Sequence, residues 1–180
     1  TDFGKTEQPL HPGKCEFEGG PAIWFAWADT GIRLTNNWIH DGTWSGILIT
    51  ADHCQISGNR IERVKEAAIY AAGLTDSTIS GNVISHVYLK DCASHGIEMD
   101  TGTMNVVVSG NVIDHTGFCS IAATNPQQVV IANNVCRSPG KEGGNTNQSS
   151  CIAVYNGGQA VAPRQVTIAN NLLISDEAHF

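Results

Sequence analysis

Hydrophobic and polar positions recur along this chain in one short phrase: apolar, any residue, apolar, two residues, Asn, any residue, apolar. Its six copies are Ile32-Leu34-Asn37-Ile39, Cys54-Ile56-Asn59-Ile61, Ser77-Ile79-Asn82-Ile84, Val106-Val108-Asn111-Ile113, Val129-Ile131-Asn134-Cys136 and Val166-Ile168-Asn171-Leu173. The anchor asparagines are 22, 23, 29, 23 and 37 residues apart. A repeated internal period means one structural unit stacked on itself. Alternation with period two predicts strands on both sides of the Asn. Asn tolerates the left-handed backbone that a sharp bend needs, and the residue before it is Gly58, Gly81 or Gly110, or Asn36, Asn133 or Asn170. A second strand-like phrase precedes each copy: Ile23-Trp24-Phe25, Ile47-Leu48-Ile49, Ile69-Tyr70-Ala71, Ile97-Glu98-Met99, Ile121-Ala122-Ala123 and Ile152-Ala153-Val154. Gly46 and Gly96 lead into two of these.

One period therefore holds three short strands and three turns, with no room for an ordinary helix. A coil of about 22–24 residues with three strands predicts an all-β solenoid, a parallel β-helix of about six to seven rungs. A sandwich or barrel would not repeat one Asn bend at one offset six times. Residues 20–175 resemble the right-handed parallel β-helix repeats of pectate lyases, polygalacturonases and phage tailspikes. Residues 1–19 read as an irregular N-terminal segment and 176–180 as a tail. Rungs at the spacing of paired strands make a rod of only about 30 Å. Solenoids need their open core covered at the ends, and no amphipathic capping helix is visible. The chain thus reads as part of a longer β-helix, or as a unit capped by other copies, for instance in a trimer.

Net charge is −7, from 10 basic and 17 acidic residues. This balance argues against a nucleic-acid backbone or an anionic membrane as partner. No apolar run approaches the length of a membrane span. Of six cysteines, Cys54 and Cys136 fall at inward positions of the repeat and suit a core. Cys136 with Cys151, and Cys92 with Cys119, are candidate bridges, and free core thiols are the other reading. No C-x-x-C pair exists, so no metal site is expected.

Extra residues enter at Tyr88–Ser94, Ser138–Ser150 and Asn156–Arg164, where solenoids place loops, often beside a binding face. Stacking also turns equivalent positions into columns. The first outward column of the Ile-led strands reads Trp24, Leu48, Tyr70, Glu98, Ala122, Ala153, and the second Ala26, Thr50, Ala72, Asp100, Thr124, Tyr155. Glu98 and Asp100 share one face, about 6.5–7 Å apart along the strand. Four residues after each anchor stand Asp41, Arg63, His86, His115, Ser138 and Ser175. Together with His95, the histidines and Arg63 are expected to converge on the two carboxylates.

Paired carboxylates are the equipment of glycoside hydrolysis, and a gap near 6.5–9.5 Å predicts an inverting acid and base. Like charge raises one pKa of a pair, which makes Glu98 the candidate acid and Asp100 the base. His86, His95 and His115 would orient substrate or tune the pair. Trp24, Trp44, Tyr70 and Tyr155 offer flat rings for sugar faces, and Arg63 a cation. Trp27 and Trp38 read as structural, and the Asn column as a hydrogen-bonded ladder. The resemblance implies that the Ile-led strands floor a substrate groove, hence a polysaccharide-degrading enzyme that is extracellular, cell-surface or virion-associated. A hydrolase needs no cofactor. A polysaccharide lyase would use a histidine as base and Arg63, or a Ca²⁺ at Glu98 and Asp100, to neutralise a uronate. A non-catalytic glycan-binding or structural rod is the alternative from another class.

Overall fold

The computed structural model describes residues 19–26, 30–89, 94–140, 149–157 and 161–175. Six coils follow one another, three strands each. The first holds β1 (Ile23–Phe25), β2 (Arg33–Thr35) and β3 (Trp38–His40), and the second β4 (Ile47–Ile49), β5 (Gln55–Ser57) and β6 (Arg60–Val64). The third holds β7 (Ala67–Ala72), β8 (Thr75–Ser80) and β9 (Val83–Val87), and the fourth β10 (His95–Asp100), β11 (Met104–Ser109) and β12 (Val112–Thr116). The fifth holds β13 (Ile121–Thr124), β14 (Val130–Ala132) and β15 (Val135–Pro139), and the sixth β16 (Ile152–Tyr155), β17 (Thr167–Ala169) and β18 (Leu172–Ile174). Every third strand pairs in parallel, giving three six-stranded sheets: A, with β1-β4-β7-β10-β13-β16; B, with β2-β5-β8-β11-β14-β17; and C, with β3-β6-β9-β12-β15-β18. This is the expected parallel β-helix, with six rungs among the described residues.

The register follows the phrases. Ile23, Ile47, Ile69, Ile97, Ile121 and Ile152 stand in one row of sheet A. Ile47, Ile69, Ile97 and Ile121 are fully buried, as are Ile56, Ile79 and Ile131 of sheet B and Ile61, Ile84 and Ile113 of sheet C. Each such side chain contributes about 1.5–3 kcal/mol by leaving water. Cys54 and Cys136 take their expected inward places.

The bend differs from expectation in one detail. The left-handed residue is the one before the anchor, at Asn36, Gly58, Gly81, Gly110, Asn133 and Asn170, with φ between 53° and 66°. The anchor Asn instead turns inward and forms the expected ladder. Asn59, Asn82, Asn111 and Asn134 each accept, through Oδ1, the backbone N–H and the side-chain N–H of the anchor one rung earlier, at 2.8–3.0 Å. Their Nδ2 atoms also donate to the carbonyls of Leu34, Ile56, Ile79 and Val108. The buried bend is thereby supplied with hydrogen bonds, as a buried amide requires. A second left-handed column runs through sheet C at Asp41, Arg63, His86, His115 and Ser138.

Trp38, read as structural, is 63% exposed, because the inward turn of Ile39 forces its neighbour outward. Its indole N–H donates to Glu62 at 3.2 Å, with Arg60 5.7 Å from its ring. Cys136 and Cys151 are free thiols and do not staple the loop between them; the Cys151 thiol instead lies 3.6 Å from the Cys136 carbonyl. Burial pushes the Cys136 thiol up to about 12. The 1–18 stretch, the 176–180 tail, Trp27 and Cys92 with its suggested bridge to Cys119 lie outside the described residues.

Candidate active site on sheet A

The parallel register sets the outer face of sheet A. Glu98 stands over Tyr70 and under Ala122, and Asp100 stands over Ala72. The chain's insertions all border this sheet. Residues 88–94 join β9 to β10, residues 140–151 join β15 to β16, and residues 156–164 leave β16. Glu98 thus has a ring below it and an alanine above, and Asp100 has an alanine below.

Asp100 is fixed by two donors. The Tyr70 hydroxyl, one rung below, donates to Oδ2 at 2.8 Å, and the Thr101 N–H donates to Oδ1 at 2.6 Å. Glu98 is half-buried between the rungs. Burial first, then the carboxylates of Glu66 and Asp100, push its carboxyl up to about 8. Glu98 therefore carries its proton at neutral pH. Burial and the Asp100 charge push the Tyr70 hydroxyl upward, which keeps it a donor. From the sixth rung, Tyr155 brings its hydroxyl 3.3 Å from the Cys119 sulfur, and the Glu98 charge adds to the upward shift that burial gives it.

Sequence reasoning missed Glu66 and Ser45. Glu66 is buried just before β7, and the Ser45 hydroxyl donates to its Oε2 at 2.7 Å. A polar residue immediately ahead of the apolar run Ala67–Ala72 was the available signal.

The remaining candidates divide between two faces. His95 begins β10, buried edge-on against Phe118 at 5.2 Å. Trp44 packs against Leu48, Ala67 and Tyr70, while Trp24 is 59% exposed at the end of the Glu98 column. Arg63, His86 and His115 lie on sheet C. Arg63 is engaged by Asp41 at 2.6 Å and by Glu62 at 3.0 Å. His86 and His115 stack on each other at 5.2 Å and 10°, and His115 Nδ1 lies 2.9 Å from the Asp114 carboxylate. His86 and His115 thus belong to sheet C, while Glu98 and Asp100 belong to sheet A.

Among the described residues, no three His, Cys, Asp or Glu side chains are grouped to hold a metal ion. Nor is any helix among them long and apolar enough to cross a membrane.

The family model described as "Right handed beta helix region" matches residues 22–178. The chain belongs to the right-handed β-helix family. Searches of curated proteins and of solved structures returned no match. Membership of the right-handed β-helix family agrees with the six parallel rungs and leaves the activity to be argued from the site.

Proposed function

We propose that sheet A of this right-handed β-helix cleaves a polysaccharide by glycoside hydrolysis, with Glu98 as proton donor and Asp100 as its carboxylate partner. The observation that carries this reading is the contrast within the pair. Glu98 is held protonated to about 8, while Asp100 accepts hydrogen bonds on both oxygens. A protonated carboxyl can deliver a proton to a glycosidic oxygen as the bond breaks, and the second carboxylate serves water or the developing positive charge. Their places two residues apart on one strand favour the wider, inverting arrangement. Tyr70 positions Asp100, and Tyr155 and Trp24 offer rings along the same face. A polymeric substrate fits an extracellular, cell-surface or virion-associated setting.

The test is a polysaccharide panel scored for new reducing ends, with wild type and Glu98→Gln side by side. Loss of about 10²–10⁴-fold in rate is expected for the variant. An active, folded Glu98→Gln protein would sink the assignment. Ultraviolet-absorbing unsaturated products would point to a lyase instead. The exposed Trp24 favours a second reading, a glycan-binding rod, which holds if sugars bind and no panel member is cut.

A further inference from the structure

We infer that the sheet A site takes a neutral glycan and rejects polyuronates; this rests on sheet A being the glycan site. Among the described residues, the two outward columns of sheet A contain Glu98 and Asp100 and no Lys or Arg. Every other position in them is apolar, alanine, threonine or aromatic. Glu66, buried just before β7, adds a third carboxyl group whose charge is felt at Glu98. The described arginines belong elsewhere, and Lys65 lies off both columns. Arg33 is in sheet B, and Arg60, Arg63 and Arg137 are in sheet C, where Arg60 and Arg63 are tied to carboxylates. Arg164 bridges beside sheet B, and Lys65 sits in the turn ahead of Glu66.

A polyuronate brings one carboxylate per sugar. Laid along β10 it would set like charges against Asp100 and Glu66 with no guanidinium or ammonium on the columns to offset them. A neutral sugar offers hydroxyl donors, which a carboxylate accepts in pairs, and C–H faces, which Tyr and Trp rings cover. The protonated Glu98 gives such a sugar a donor as well.

The experiment is calorimetric titration of the Glu98→Gln protein, in which slowed turnover lets binding be read. The probes are neutral hexasaccharides (xylo-, manno-, cello- and galacto-series) and hexamers of galacturonate and alginate, at low and high salt. We expect at least one neutral series to bind about tenfold or more tighter than either uronate hexamer at low salt. Added salt should narrow the gap by screening repulsion. Ala72→Lys, which puts a cation directly under Asp100 in the register, should raise uronate affinity. Uronate binding equal to or tighter than neutral binding, uronate binding that salt weakens, no binding of any probe, or unchanged uronate affinity in Ala72→Lys would each overturn the inference. If a neutral hexamer binds while the wild-type protein leaves it intact, the hydrolase reading falls and the neutral-glycan inference stands.

Discussion

At the scale of single residues, Glu98 ties chemistry to stability. Its carboxyl is raised from the ordinary 4.5 to about 8 in the folded protein, so the native state holds this proton more tightly than the unfolded chain does. Glu98 therefore lowers stability as pH climbs from about 4.5 towards 8, the window between the two values. Melting temperature should fall across that window for wild type and stay flatter for Glu98→Gln, so that the variant becomes the more stable protein above pH 8. Thermal scans by circular dichroism at pH 5 and pH 9 check this, and parallel curves for the two proteins would refute it. If cleavage depends on the Glu98 proton, activity should decline over the same rise in pH. The outward place of Glu98 was legible in the sequence, because Ile97 and Met99 flank it with inward apolar side chains. That one carboxyl of the pair would be raised was legible too, but not that burial is the first cause, nor that Glu66, 32 residues earlier in the chain, adds more than Asp100 does. The rung positions of His86 and His115 were readable as well, but not their stacking on each other on sheet C, which depends on backbone angles.

At the scale of strands and bends, two substitutions separate hydrogen bonding from packing. Asn111→Ala removes two acceptor contacts, from the Asn82 backbone and side chain, and two donor contacts, to Ile79 and Asn134. At about 1 kcal/mol for each bond, the expected loss is about 4 kcal/mol in urea denaturation. Gly96→Ala acts by collision. A Cβ there would lie 2.5 Å from Ile113 Cγ2 and 2.6 Å from the Ser120 carbonyl oxygen, so backbone must move. A cost of about 1–3 kcal/mol is expected. Gly20→Ala, which meets nothing within 4 Å, should lie near wild type and serves as the control. The anchors, the ladder and the strand rows were readable because a period of two repeats them at fixed offsets. The need for glycine before Ile97 was only half readable: the sequence marks the strand start, and the crowding comes from a sheet C isoleucine and the rung above.

At the scale of the whole molecule, order should be greatest in the middle coils. The inward-row residues Ile168 and Leu173 of the sixth coil are each 50% exposed, whereas Ile69, Ile97 and Ile121 in the coils before it are fully buried. Amide hydrogen exchange should be slowest in β7, β10 and β13 and fastest in β17 and β18; uniform protection along the rod would contradict this picture. The same architecture has a consequence for how the chain reaches its native state. Each strand pairs only with its counterparts one coil before and one coil after. No segment has to wait for a distant part of the sequence before it can be placed. Once two adjacent coils exist, each later one can be laid onto a finished template, so a chain emerging from the ribosome could be built in the order in which it is translated.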